Sequence, residues 1–195
     1  MSQGIKIIKD PETAKLLAEE SRRRMLHMLR HQEMSVTDLA KALDKPHSSV
    51  QHHLNLLKEA GLVIETRQEK VRNMVQPFYR ATAHRFIISY SLTETLAEDE
   101  TFITWRRGLR NKLVDGLRAI GITYPEESKD EVEELIGTCV DHELRAFESS
   151  FERVNNPSID RHSQRAIMQL LTQLELAKDE KHSLVLAKLN RLLKF

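Results

Sequence analysis

Five short polar side chains lie close together in one stretch of the chain and can exchange hydrogen bonds with a ligand. They carry hydroxyl, amide and imidazole groups, and they are Ser48, Ser49, Gln51, His52 and Asn55. Together they offer both donors and acceptors. A ligand can meet all five only if one element of structure presents them side by side.

The stretch Lys45–Val63 predicts such an element, a helix with two unlike faces. With Val50 at zero on a wheel of about 100° per residue, Leu54 and Leu57 fall within about 40°. The polar residues apart from Ser49 fall roughly 100–200° away, mostly near the front end. A core-anchored helix with a polar front end is typical of a recognition helix, which reads base edges in the DNA major groove.

The preceding residues predict the partner helix of a helix-turn-helix. Ser35-Val36-Thr37-Asp38 resembles a capping box and opens a short buried helix, Ser35–Leu43. Asp44-Lys45-Pro46 breaks the chain before the recognition helix. Gly61 lies where a left-handed helix C-cap is expected.

A β-hairpin is predicted after the recognition helix. β-Branched and aromatic residues flank a polar tip, which favours pairing of Leu62–Arg67 with Met74–Arg80. Pro77 favours an edge position for the second strand. This hairpin would form a wing that lies on the DNA backbone or in the minor groove.

Positive charge is concentrated in this part of the chain. Residues 21–85 contain 12 Lys and Arg against 6 Asp and Glu, whereas residues 86–195 contain 15 against 19. A basic front half favours contact with phosphates. The candidate phosphate-binding residues are Arg22, Arg23, Lys41, Lys45, His47, Lys58, Arg67, Lys70 and Arg72.

Beyond about Ala83 the sequence is almost purely helical, with apolar residues at spacings of 3 and 4. Such long amphipathic helices must pack on each other or on a second chain. We expect a plain helical core or a dimer interface, with an effector pocket as the alternative for the same residues. These are Phe102, Trp105, Leu109, Phe147, Phe151, Leu184, Leu189 and Leu192.

Three segments follow from these patterns, and the fold class is mainly α. Residues 1–11 form an N-terminal arm or an edge strand around Ile5-Lys6-Ile7-Ile8. Residues 12–83 form a winged helix-turn-helix DNA-binding domain, with a three-helix core and a β-hairpin wing. Residues 84–195 form a helical dimerisation and candidate effector domain.

The stretch AEESRRRMLHMLRHQEMSVTDLAKALDKPHSSVQHHLNLLKEAGLV resembles the winged helix-turn-helix of the ArsR-type repressors. Their pattern runs roughly ADPTRRRILRLL, then LSVxELAxxLGLSxSTVSxHLxxLxxAGLV. The matching residues here are Ser21-Arg22-Arg23-Arg24, Ser35–Ala40, Ser48-Ser49-Val50, His53-Leu54 and Ala60-Gly61-Leu62-Val63. The resemblance implies a transcription regulator that binds double-stranded DNA as a homodimer.

Two departures from that pattern bear on function. Pro46 stands where the family usually has a Ser helix cap, and the helix Ser35–Leu43 lacks the thiolate-rich metal motif of arsenic- and cadmium-sensing members. The helical second half instead resembles archaeal winged-helix proteins in which a helical extension follows the wing. We therefore expect no metal sensing.

Other classes of protein fit the sequence less well. The pairs His27/His31 and Cys139/His142 have no further ligands at recognisable spacing, so we expect no metal site and no cofactor. No catalytic grouping is present, so we expect no enzyme. Without an apolar signal core or a membrane-spanning run, the expected location is the cytoplasm, with no membrane partner.

Two alternatives to a plain DNA-binding regulator stay open. One is a winged-helix module that binds another protein and no DNA. The other is a regulator that responds to an unknown small-molecule effector held in the helical domain.

Overall fold

The computed structural model describes residues 3–71, 74–154 and 158–194. The chain divides into two compact units, Met1–Ile88 and Ser89–Phe195. The boundary lies slightly after the expected one at 83–84, because the segment that follows the wing pairs with the N-terminal strand and so belongs to the first unit.

The first unit combines four helices with five strands among its described residues. In chain order these are β1 (Gln3–Ile8), α1 (Pro11–Leu16), α2 (Glu20–Leu29), β2 (Met34–Ser35), α3 (Val36–Leu43), α4 (His47–Glu59), β3 (Val63–Val71), β4 (Met74–Ala81) and β5 (Ala83–Ile88). Its core is aliphatic, and the largest fully buried side chains there are Met25, Leu29, Leu39, Val50, Leu54, Leu57, Leu62 and Val63. This is the predicted winged helix-turn-helix.

The helix-turn-helix begins with the predicted capping box. The backbone N–H of Asp38 donates to Ser35 Oγ at 3.2 Å, and the backbone N–H of Ser35 donates to Asp38 Oδ2 at 3.0 Å. Two donors that would otherwise lack partners are thereby satisfied. Asp44 ends α3 in the left-handed region at φ 52°, which allows the tight turn into α4.

The wing forms as predicted, but its second strand is not at an edge. β3 and β4 pair antiparallel, and β2 pairs with the other side of β4, giving the order β2-β4-β3. The prediction from Pro77 was therefore wrong for the strand as a whole. Pro77 itself pairs with Gln68, and the β2 pairing reaches only Phe78, so the missing N–H of Pro77 lies beyond β2.

The N-terminal segment is a strand, and its partner was not predicted. β1 runs parallel to β5, with Ile5 opposite Arg85 and Ile8 opposite Ile88. The expectation of helix directly after Ala83 was wrong, because β5 continues to Ile88 before the helices begin.

The second unit is helical, as expected. In chain order it contains α5 (Leu92–Thr95), α6 (Glu100–Ala119), a short 3-10 turn (Glu126–Ser128), α7 (Lys129–Val154), α8 (Arg161–Lys178) and α9 (Glu180–Leu192). A hydrophobic cluster joins α6, α7 and α9 through Val114, Tyr124, Val132, Ile136 and Leu189.

Asp179 separates the last two helices. It is both the C-cap of α8 and the N-cap of α9. Its Oδ1 accepts from the backbone N–H groups of Lys181 and His182 at 3.0 and 3.1 Å. An N-cap carboxylate of this kind starts a new helix instead of continuing the old one.

Candidate nucleic-acid interface

The two faces of α4 differ as the sequence predicted. Val50, Leu54 and Leu57 are 0% exposed and fix the helix to the core. On the other side, Ser48, His52 and Asn55 are exposed, while Ser49 and Gln51 are half-buried. Four of the five candidate base-reading residues, Ser48, Gln51, His52 and Asn55, therefore lie on one accessible flank of a single helix, and Ser49 lies beyond its edge.

The amides on this flank are not independent of each other. Gln51 Nε2 donates to Asn55 Oδ1 at 2.9 Å, one turn further along α4. Such bonds between residues four apart stabilise a helix slightly. Here the bond also fixes the direction of the Gln51 amide.

The front end of α4 has basic and unsatisfied groups around it. Pro46 is the N-cap and makes no side-chain hydrogen bond to the helix, so the first N–H groups of α4 have no side-chain cap. Lys45 Nζ donates to Ser21 Oγ at 2.5 Å, and His47 is exposed. This end carries partial positive charge that favours an anion.

The rear end of α4 is held by two side chains, Lys6 from β1 and Thr82, the residue between β4 and β5. Gly61 adopts the predicted left-handed conformation at φ 64°. Its carbonyl oxygen accepts from Lys6 Nζ at 2.8 Å and from Thr82 Oγ1 at 3.0 Å. Neither residue was singled out from the sequence, because both come from segments distant in the chain.

His53 lies beside the flank and packs inward. It is half-buried, and its Nδ1 is buried with no hydrogen-bond partner among the described residues. Burial lowers the pKa of His53 from its ordinary value of 6.5, and the Glu19 carboxylate only partly opposes this. Burial therefore favours the neutral form of His53, while its neighbour His52 is exposed.

Arg22 and Arg23 have a structural task that the sequence did not show. Arg23 Nη1 donates to the carbonyl oxygens of Leu17 and Ala18, both at 2.7 Å, and Arg22 Nε donates to the carbonyl of Leu16. Both guanidinium groups thus satisfy the C-terminal carbonyls at the end of α1. A phosphate would have to share them with these carbonyls.

On the wing, Arg67 is surrounded by acceptors. Its Nε donates to Glu33 Oε2 at 2.9 Å, its Nη1 pairs with Glu69, and its guanidinium carbon lies 3.8 Å from the centre of the Phe78 ring. The Glu33 carboxylate raises the pKa of Arg67, and Arg67 in turn lowers the pKa of Glu33. A DNA phosphate must therefore compete with two carboxylates for this cation.

The remaining basic residues are less constrained. Lys58 lies 3.8 Å from Glu65 Oε2 and 6.0 Å from the centre of the Tyr79 ring. Lys41 and Lys70 are exposed. Arg72 lies outside the described residues.

Comparison with known proteins identifies the core of this unit. Residues 19–65 match the arsR family of bacterial regulatory proteins. Residues 19–65 are an arsR-family helix-turn-helix domain. That domain contains α2, α3 and α4 and ends at the start of the wing.

Two repressors and one solved structure are similar to parts of this chain. The transcriptional repressor SdpR of Bacillus subtilis is 28% identical over 50% of this chain and 89% of its own. The arsenical resistance operon repressor of Escherichia coli is 36% identical over 37% of this chain, and the match spans 64% of that repressor. The structure of reduced HlyU from Vibrio cholerae is 29% identical over 37% of this chain and 74% of its own, with a TM-score of 0.31.

Outside the arsR-family domain, the predicted interface residues of the helical unit have different surroundings. Phe102 and Leu189 are buried within the unit itself, and Leu192 packs against the core. Trp105 contacts Phe102 at 5.5 Å between ring centres, and Phe147 stacks on Phe151 at 6.0 Å. Only Leu109 and Leu184 of the eight are exposed.

Two further apolar stripes of the helical unit remain accessible. On α6, Leu109 and Leu113 are 46% and 41% exposed, and Ile120, the C-cap residue of that helix, is 73% exposed. On α8, a similar row consists of Ile167, Leu170 and Leu174, which are 37%, 55% and 47% exposed. Spacings of 3, 4 and 7 place each row on one side of its helix.

The metal-ligand pairs noted in the sequence have other partners. Arg30 donates to His27 Nδ1 at 2.7 Å and to His31 Nε2 at 3.0 Å. Burial raises the pKa of Cys139, which favours the thiol over the thiolate. In the described parts of the chain, no three His, Cys, Asp or Glu side chains are grouped to hold a metal ion, and no helix is long and apolar enough to cross a bilayer.

Proposed function

We propose that this chain is a transcription regulator that binds double-stranded DNA sequence-specifically as a homodimer. α4 enters the major groove, and the β3–β4 wing lies on the backbone or in the minor groove. The observation that carries the proposal is the accessible polar flank of α4 opposite Val50, Leu54 and Leu57, which are 0% exposed. The repressors that the arsR-family domain resembles support it.

Phosphate contacts are assigned to the basic residues around α4 and the wing. Lys41, Lys45 and Lys70 are exposed and can reach a backbone without losing a carboxylate partner in the described structure. Lys58 and Arg67 each have a carboxylate nearby, so their phosphate contacts exchange one anion for another. Phosphate contacts position the protein, and the α4 flank supplies the sequence preference.

Dimerisation is assigned to the helical unit because its apolar stripes lack cover. The row on α8 follows the 3–4 spacing of a helix seam, and its central residue Leu170 is 55% exposed. Accessible apolar rows of this kind mark association surfaces. In a dimer, the two recognition helices would read successive turns of the major groove if they lie about 34 Å apart.

A salt titration of DNA binding tests the regulator proposal. Duplexes selected from a random pool are measured by fluorescence anisotropy with the full chain. Lys41→Ala and Lys70→Ala should each flatten the slope of log affinity against log salt by about 0.9. Lys188→Ala, an exposed change on α9, is the matched control and should leave the slope unchanged.

The absence of duplex binding would contradict the regulator proposal. A wild-type chain that shows no salt-sensitive binding to any duplex would favour the winged-helix module that binds protein. A palindromic selected site with half-sites about one turn apart would support the dimer.

Sedimentation velocity tests the dimer directly. Leu170→Glu should shift the chain from dimer to monomer, because a charge in an apolar seam must be desolvated. Gln169→Glu places the same charge on the exposed neighbouring position and should leave the dimer intact. A monomeric wild type, or an unchanged Leu170→Glu dimer, contradicts the assignment to α8.

A small-molecule effector is assigned to the helical unit. An open depression of about 500 Å³ on the surface of α9 is lined by Leu186, Ala187, Leu189, Asn190 and Leu193. A thermal-shift screen tests this assignment. A compound that raises the melting temperature and changes DNA affinity supports it, and a screen with no such compound indicates constitutive binding.

A further inference from the structure

We propose that Gln51 reads one adenine of each half-site by contacting the N6 and N7 atoms of that adenine. Asn55 is the positioning residue that orients the Gln51 amide. This inference rests on the proposed DNA-binding function. At one position of the operator, Gln51 contacts the base, and Asn55 orients the Gln51 amide.

A hydrogen bond joins the side-chain amides of Gln51 and Asn55. Gln51 Nε2 donates to Asn55 Oδ1 at 2.9 Å across one turn of α4. An amide nitrogen carries two hydrogens, so this bond uses one and leaves the other, together with Oε1, for a ligand. Asn55 therefore restricts the rotation of the Gln51 side chain without consuming its acceptor.

An amide side chain matches the major-groove edge of adenine better than that of guanine. In the major groove, adenine offers one acceptor and one donor, which an amide matches with one N–H and one oxygen. Guanine offers two acceptors, which suit the paired donors of Arg or of Lys. The stretch His47–Leu57 contains neither Lys nor Arg, so the flank lacks the usual readers of guanine.

Gln51 is better placed than Asn55 along α4 to reach a base. Recognition helices contact bases with their N-terminal residues, and helical side chains point back toward the N-terminus. Gln51 lies one turn closer to the front end than Asn55 and has the longer side chain. Gln51 is thus the reader, and Asn55 supports it from behind.

The ordering also favours a single dominant contact. A long, mobile side chain loses conformational freedom when it binds, and that loss weakens discrimination. Because the Asn55 bond already restricts Gln51 in the unbound protein, less freedom is lost on binding. Removal of Asn55 should then weaken the same base preference that removal of Gln51 abolishes.

The test measures base preference one position at a time. The selected operator is varied at every base pair, and affinities are compared for the wild type, Gln51→Ala, Asn55→Ala and the double variant. We expect the wild type to prefer A·T at one position by about 5- to 150-fold. Gln51→Ala should abolish that preference, Asn55→Ala should reduce it, and the double variant should match Gln51→Ala.

Chemical and protein controls make the assignment specific. Replacing that adenine by 7-deazaadenine removes the N7 acceptor, so it should weaken binding of the wild type and leave Gln51→Ala unaffected. The salt slope and melting temperature should be the same for all variants, which a general loss of structure would not permit. Gln32→Ala removes an exposed amide from the turn after α2 and should change no base preference.

Distinct outcomes separate the two proposals. If the wild type binds no duplex, the proposed function fails and the adenine contact fails with it. If it binds normally but Gln51→Ala changes no A·T preference, or Asn55→Ala changes a different base pair, the adenine contact alone is overturned.

Discussion

The rear end of the recognition helix should lose stability non-additively when its two side-chain donors are removed. The Gly61 carbonyl accepts from Lys6 Nζ at 2.8 Å and from Thr82 Oγ1 at 3.0 Å. Lys6→Met keeps the aliphatic chain and removes the donor, and Thr82→Val keeps the branched shape and removes the hydroxyl. Each single variant leaves the carbonyl with one partner.

The size of the effect follows from the state of that carbonyl. One hydrogen bond contributes a net of about 1 kcal/mol, so each single change should lower the free energy of unfolding by about that amount. In the double variant the carbonyl lacks any side-chain partner, and leaving such a group unsatisfied costs about 1–3 kcal/mol. The second change then costs up to about 3 kcal/mol instead of about 1, so we expect a total loss above about 2 and up to about 4 kcal/mol, which exceeds the two single losses together.

Two probes of urea unfolding localise the loss. The single tryptophan, Trp105, lies in the helical unit, so its fluorescence follows that unit while circular dichroism follows the whole chain. The variants should shift the dichroism and leave the tryptophan transition in place. Lys70→Met removes an exposed lysine from the same unit and should change neither. Strictly additive losses, or a silent Lys6→Met, would refute the reasoning.

Two further predictions concern charge near the interface. Burial lowers the pKa of His53 below 6.5, so the unfolded chain binds more protons as the pH falls. Its stability contribution is therefore complete above about pH 6.5 and is lost as the pH falls through the lowered value, and His53→Gln should flatten urea midpoints between about pH 7.5 and pH 5.5. On the wing, Glu33→Gln combined with Glu69→Gln should free Arg67 for phosphate and steepen the salt slope by about 0.9. The exposed change Glu59→Gln removes one charge elsewhere in the unit, and an equal effect from it would contradict this role for Arg67.

Local signals in the sequence predicted the elements that present the candidate site. The capping box Ser35–Asp38 starts α3 as expected, and Gly61 ends the recognition helix in the left-handed region. The aliphatic spacing of Val50, Leu54 and Leu57 identified the buried face of α4. Each of these depends on residues within about two turns of one another, so the local pattern is sufficient.

Features that depend on distant pairing were missed. β5 looked like the beginning of the helical half because nothing nearby marks its parallel partner β1, about 80 residues earlier. Arg22 and Arg23 remain candidate phosphate anchors, although local contacts that the sequence pattern did not mark also bring their guanidinium groups to the carbonyls of Leu16, Leu17 and Ala18. The Gln51–Asn55 bond, by contrast, has the spacing of helix neighbours and was open to prediction.

The contacts that hold α4 in place leave its polar flank accessible. Its apolar face is fully buried at Val50, Leu54 and Leu57, and its rear end is tied to Lys6 and Thr82. All of these contacts lie away from the polar flank. A recognition element must hold its side chains in position before it meets the ligand, because looseness reduces discrimination. Strand β1 carries Lys6, so we expect it to influence DNA binding through the support that it gives to α4. Deleting β1 should lower the affinity for all duplexes by disordering α4, whereas Lys6→Met should preserve the preferred sequence and weaken mainly stability.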